Sequence, residues 1–292
     1  MPADGTVDAH HHVWDLSVWD LSVRDQPRIA GPSMLPLRRN FGLADLAVPA
    51  HAAGVTGTVV VQTVPVTAET PELLALAAGS DLVAGVVGWV DLTDPAVGER
   101  LAQLREEPGG AHLVGIRHLV QEEADPDWLG RGDVRRGLRA VAAAGLAYDL
   151  LVRPRQLAAA VAAAQALPEL RFVLDHLAKP PVATGGAEQW ASGLRALAAR
   201  PNVTAKLSGL VTEADPTGWT VADLRPYSDL ALTAFGPSRL MFGSDWPVCL
   251  LAAPSYDRVV AVAEELTDSL SPAERQHVFR DTAIRAYGLA GH

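Results

Sequence analysis

Residues 171–199, RFVLDHLAKPPVATGGAEQWASGLRALAA, hold one complete strand–turn–helix unit. Arg171–Asp175 is a short apolar run, and Lys179-Pro180 leaves it in a rigid turn. Gln189–Ala199 is an alanine- and leucine-rich run that reads as a helix. The alternation recurs in both directions. Strands are expected at Thr6–His10, Thr58–Gln62, Ala84–Val90, Leu113–His118, Ala147–Val152, Asn202–Leu207 and Arg239–Gly243. Most are continuous apolar runs, as in parallel strands buried on both faces. Helices are expected at Pro71–Ala78, Pro95–Leu104, Val134–Ala144, Pro154–Gln165, Leu224–Phe235, Tyr256–Leu266 and Pro272–Tyr287. Several begin near Pro and several end near Gly, which suits helix entry and exit. Eight such units favour a closed (β/α)8 barrel over an open sheet, with residues 1–292 as one domain. A dinucleotide-binding sheet is disfavoured, because no strand is followed by the glycine triplet that cradles a pyrophosphate.

One connection is long. About forty residues separate the first two strands, beginning VWDLSVWDLSVRDQPRIAGPSMLPLRRNF. A loop of that length is usually functional or disordered. Trp14, Trp19, Met34, Leu35 and Phe41 give it something to bury, and Arg24, Arg28, Arg38 and Arg39 give it positive charge. It reads as a lid over the barrel mouth, and its arginines point to an anionic or polyhydroxylated substrate.

Three stretches carry the chemistry. In VDAHHHVW (7–14), alternation along a strand points His10 and His12 the same way and turns His11 aside. Two imidazoles at one strand end can hold a divalent ion. In FVLDHLAKP (172–180), Asp175 and His176 end a strand, where a barrel builds its active site. Adjacent residues face opposite ways, so only one of them is expected in the mouth, and His176 is the choice. In LMFGSDWPV (240–248), Gly243 permits close backbone approach and Asp245 ends the strand beside Trp246. A carboxylate there can bind metal or take a proton from water. Each has a bland alternative: a histidine pair in a polar loop, a lone structural histidine and a helix N-cap.

Weaker candidates follow. Arg117 and His118 end the fourth strand, and Arg117 suits an oxyanion. Lys206 and Ser208 fall on one side of the seventh strand. Asp149 lies in an apolar run, where a carboxylate is costly unless paired, and bracing Arg117 is its expected use. Cys249 belongs to no nucleophile motif and reads as a small buried filler.

Composition excludes whole classes. The net charge is −10 and no Lys/Arg cluster stands out, which argues against nucleic acid as partner. The single cysteine excludes a disulfide framework and a cysteine-rich zinc site. It also fits a reducing compartment, and the N-terminus has no secretory pattern, so the cytoplasm is expected. No run approaches the ~18 apolar residues of a membrane span. The expected partner is a small-molecule substrate.

The stretches DAHHHVWD, GIRHLVQ, LVRPRQL, VLDHLAKP, KLSGLVTEA and MFGSDWPV together resemble the amidohydrolase superfamily, and within it the sugar-acid lactonases of the fuconolactonase and rhamnonolactonase type. The resemblance runs nearly end to end. It implies a barrel enzyme that opens a lactone with water. It makes His10 and His12 the strand-one histidines, His176 the strand-six histidine and Asp245 the strand-eight aspartate and base. It gives Arg117 to the substrate and makes Trp14 and Trp246 walls of the pocket; Lys206, at the end of the seventh strand, is the further substrate contact expected. The fifth strand lacks the histidine of metal-rich members and the fourth lacks a carboxylated-lysine candidate. The implied site therefore holds at most one divalent ion, zinc first, on His10, His12 and Asp245, with metal-independent lactonases among its neighbours. Pyrone dicarboxylate lactonase, a metal-dependent decarboxylase and a sugar-acid binder are the alternatives.

Overall fold

In the computed structural model, residues 5–16 and 31–289 are described. Eight strands pair in chain order: β1 Thr6–His11, β2 Val55–Val61, β3 Val83–Gly88, β4 Leu113–His118, β5 Ala147–Leu150, β6 Arg171–Leu174, β7 Val203–Leu207 and β8 Leu240–Phe242. Every ladder is parallel. The seam between β8 and β1 closes just past the strand ends. There His11 bridges Trp246, His12 N donates to Trp246 O at 2.7 Å, and Asp245 N donates to His10 O at 2.8 Å. The sheet is thus a (β/α)8 barrel.

The surrounding helices are α1 Leu43–Ala52, α2 Glu69–Ala78, α3 Val97–Glu106, α4 Gly132–Ala143, α5 Leu157–Ala166, α6 Glu188–Ala198, α7 Val221–Phe235, α8 Tyr256–Leu266, α9 Pro272–Gln276 and α10 Thr282–Tyr287. Helix α1 corrects the sequence reading, which left residues 43–52 inside a long connection. Its pattern is hidden by Pro49, a residue that breaks most helix interiors. The Asp45 carboxylate accepts from Gly42 N at 2.9 Å, and Leu46 and Ala50 are buried. Capping and packing together outweigh the proline. The expected helix Pro272–Tyr287 is also revised, since a π-helical turn at His277–Asp281 separates α9 from α10.

The core has two parts. A large one lies between barrel and helices, and includes Leu74, Ile116, Tyr148, Phe172 and Phe279. A smaller one fills the barrel with Val7, Ala9, Val59, Val61, Val87, Val173 and Met241, and joins Ala283, Ala286 and Tyr287 of α10. Apolar packing thus occupies one end of the barrel, and polar groups gather at the carboxyl ends of the strands. Among the described residues, no helix is long and apolar enough to cross a membrane.

Candidate active site

Strand β1 delivers its histidines through an irregularity: the register with β2 shifts between Asp8 and His11. His10 and His12 come together, with Nε2 atoms 3.2 Å apart, and His11 turns aside to Thr58 Oγ1 at 3.0 Å. The alternation argument therefore holds. Asp8 points to the outer helices. It accepts from Ser244 N at 2.8 Å and from Tyr256 OH at 3.0 Å, tying β1 to the end of β8 and to α8. Burial raises its carboxyl to about 6, against the hydrogen bonds of Ser244 and others.

Gly243 follows strand β8, and an added Cβ there would meet the His10 Cβ at 2.8 Å. That close approach is why a side chain is excluded there. Asp245 follows with φ of 56°, a strained conformation for a non-glycine residue and one that clusters at functional sites. Its Oδ1 lies 3.5 Å from His12 Nε2, 3.7 Å from His10 Nε2 and 3.9 Å from His176 Nε2.

After β6 the chain runs through positive φ at His176, Leu177, Ala178 and Lys179. This left-handed turn ends the strand alternation. Both Asp175 and His176 consequently face the centre, and the expectation that only one would do so is corrected. His176 Nδ1 bonds Ser208 Oγ at 2.9 Å. Gly209 backs the ring, and a Cβ there would lie 2.8 Å from it.

Beneath the histidines is a buried charge network. Lys206 Nζ lies 2.6 Å from Asp149 Oδ2, 2.9 Å from Asp175 Oδ1 and 3.1 Å from His10 Nδ1. Arg117 NH1 bonds Asp175 Oδ2 at 3.1 Å and lies 3.4 Å from His10 Nε2. Its NH2 donates to the Gln62 carbonyl. Asp149 receives Lys206 and the Tyr287 hydroxyl, at 2.8 Å to Oδ2, and not Arg117 as expected. Lys206 reaches across from β7 to Asp149, while Arg117 turns to Asp175.

These surroundings fix the charge states. Burial lowers His176 to about 4 and His12 below its usual value. Burial and the neighbouring Lys206 charge hold His10 well below. Burial opposes the ionised form of Asp245, but the imidazoles of His176, His12 and His10 outweigh it and hold the carboxyl below the usual carboxylate range. The site at neutral pH is a carboxylate among neutral imidazoles.

That donor set suits a divalent ion. His10, His176 and Asp245 have ligand atoms within 4.8 Å of one another. His12 is the fourth candidate, and its Nδ1 is tied to the Val61 carbonyl at 2.7 Å, which leaves the Nε2 lone pair facing the centre. A tetrahedral zinc has ligand-to-ligand edges of roughly 3.3 Å. The His10–His12 and His12–Asp245 separations of 3.2 and 3.5 Å are close to that.

Above the centre lies a cavity of about 370 Å3, lined by His12, His176, Asp245, Arg117, Trp14 and Gln121 among others. The size is usual for small-molecule sites, about 300–1,000 Å3. Trp14 is on its wall, held by Nε1–H to the Arg39 carbonyl at 2.8 Å and by a bridge to Phe41. Met34 and Leu37, from a 3-10 turn at Pro32–Leu37, lie over it beside Val248 and Leu251. Trp19, Arg24 and Arg28 lie outside the described residues. Arg38 and Arg39 are exposed and off the wall, where the cations are Arg117, Arg153 and Lys179. Lys206 and Trp246, expected to touch substrate, are also off the wall. Lys206 is wholly buried under His10, and Trp246 packs edge-on to Phe41. Sequence reasoning missed Asp8, Gln121 and Arg153. Asp8 carried a signal, a charge in the apolar start of a strand. Gln121 and Arg153 are ordinary polar residues of loops.

A family model described as Amidohydrolase matches residues 7–289. An L-fucono-1,5-lactonase of Burkholderia ambifaria is 40% identical over 286 residues, covering 97% of this chain and 95% of the relative. One of Burkholderia multivorans is 42% identical over 295 residues, covering 97% and 96%. The crystal structure of an amidohydrolase from Burkholderia multivorans, with bound zinc, superposes with a TM-score of 0.90 at 41% identity, covering 97% of this chain and 99% of the other. The protein with this barrel, its imidazoles and carboxylate gathered where the strands end, belongs to the amidohydrolase family.

Proposed function

We propose that this chain hydrolyses the lactone of a small sugar acid, of the fucono- or rhamnono-lactone kind. The observation that carries the reading is the Asp245 carboxyl set within 3.5–3.9 Å of His10, His12 and His176 at the floor of a polar cavity. The likeness to two L-fucono-1,5-lactonases over nearly the whole chain supports it.

In this reading Asp245 takes a proton from water as the water oxygen attacks the lactone carbonyl carbon. Arg117 meets the charge that develops on the carbonyl oxygen. Asp175 fixes the guanidinium from below, so it needs no rearrangement during reaction. The ring C–O bond then breaks with its electron pair on the ring oxygen, and that oxygen takes the proton from Asp245. The hydroxy acid leaves as its carboxylate and one proton enters solution. His10, His12, His176 and Asp245 would hold a divalent ion, zinc as in the Burkholderia multivorans structure, which supplies Lewis-acid polarisation when bound. Trp14 closes one wall and helps exclude water. We read residues 1–292 as one domain and place the protein in the cytoplasm, which its single buried, unpaired cysteine supports.

The test is proton release, followed with a pH indicator, over five- and six-ring aldonolactones and pyrone carboxylates. Fast release with a sugar-acid lactone is expected. No release with any lactone, together with CO2 from an aromatic acid, would overturn the reading in favour of a decarboxylase.

A further inference from the structure

We propose that Gln121 is a specificity-determining residue that pairs with one hydroxyl of the lactone. The inference rests on the lactonase reading and names how that site selects its substrate.

Gln121 lines the cavity, and its Oε1 is buried without a hydrogen-bond partner among the described residues. A buried acceptor left unpaired is unfavourable, whereas the same acceptor in a substrate pocket is a built-in demand for a donor. A sugar hydroxyl is the donor a polyhydroxylated lactone brings.

The residue is also held in place. Its N–H donates to the Leu151 carbonyl at 2.9 Å, which pins the loop after β4 to the loop after β5. The 3-10 turn Val120–Glu122 that carries it is clamped by His118. That imidazole accepts from Trp89 Nε1 at 3.1 Å, bonds Glu123 Oε1 at 2.8 Å and stacks on Trp128 at 4.3 Å and 8°. A clamp of this kind fixes the backbone that carries the amide before substrate arrives, so only the side chain is left to order on binding.

The barrel order adds a direction. Gln121 follows β4, and the apolar turns carrying Met34, Leu37, Val248 and Leu251 follow β1 and β8, across the mouth. Gln121 therefore reads a hydroxyl on the substrate side turned away from that apolar bank.

The experiment compares the wild type with Gln121→Leu and Gln121→Asn on a parent aldonolactone and its mono-deoxy analogues. For one deoxy position, wild-type kcat/KM should fall by on the order of 100-fold or more, as at sites built to pair a substrate hydroxyl. Gln121→Leu should lose a similar factor on the parent and almost none on that analogue, so the discrimination collapses. Gln121→Asn should fall between. Equal losses for both variants on every lactone would show no coupling to any hydroxyl and overturn the proposal, leaving the lactonase reading intact. A wild type inactive on every lactone would remove the lactonase reading and this inference with it.

Discussion

Lys206 Nζ sits 3.1 Å from His10 Nδ1, on the ring nitrogen opposite the one that faces Asp245. The ammonium is wholly buried and is shared with Asp149 and Asp175. It sets the floor on which the site stands. Replacing it leaves the buried Asp149 carboxylate without its cation and takes from Asp175 one of its two, Arg117 being the other. Lys206→Met should cost about 3–5 kcal/mol of stability, measured by chemical denaturation. Adding Asp149→Asn should recover part of the loss. A single variant as stable as the wild type would contradict this account of the network.

Asp245 is assigned the proton transfer. Asp245→Asn should lower kcat by about 100- to 10,000-fold, with the thermal unfolding midpoint little changed. Asparagine keeps the shape and removes the negative charge, and with it both the proton acceptor and the anionic metal ligand. Turnover near the wild-type rate in a folded variant would falsify that role.

The buried histidines make stability depend on pH. His11 and His176 are lowered by burial to about 3 and about 4, from an unfolded value near 6.5. Below pH 6.5 the unfolded chain takes protons the folded chain refuses, so stability is present above that value and is lost as pH falls towards 4. His176 alone accounts for about 3 kcal/mol over that span. Asp8 and Asp149, both raised by burial to about 6, act in the opposite sense and offset part of the loss. The unfolding midpoint should therefore drop between pH 6.5 and 4, and less steeply in His176→Asn. A midpoint that rose on acidification would refute the assignment of neutral buried imidazoles.

Zinc should bind the folded chain through His10, His12, His176 and Asp245. At a hundredfold excess over its Kd it should add about 2.7 kcal/mol of stability, seen as a higher unfolding midpoint. His176→Ala, which removes one ligand, should reduce that shift, and the double variant His10→Ala/His176→Ala should abolish it. An equal shift in the double variant would place the ion elsewhere.

Much of this was legible in the chain. Apolar runs such as Phe172–Leu174 and Leu240–Phe242 announced buried parallel strands, because both faces of each are covered. The pairing of His10 with His12 followed from the two-residue repeat of a strand. Asp245 was legible from the turn residues around it. Helix α1 was not, since Pro49 masks its local pattern and burial of Leu46 restores it.

What the sequence determined by itself is local: which runs are strands, which side chains end them, and that imidazole and carboxylate gather in the first, sixth and eighth units. These follow from periodicity and from side-chain chemistry over a few residues. The tertiary structure decided what depends on distance between units. It turned Asp175 inward through a left-handed turn, gave Asp149 to Lys206 and Tyr287 rather than to Arg117, and left Gln121 Oε1 unpaired at the cavity wall. Those outcomes rest on how far each side chain reaches across a closed barrel, and closure couples residues that the chain keeps 236 positions apart, as Asp8 and Ser244 are.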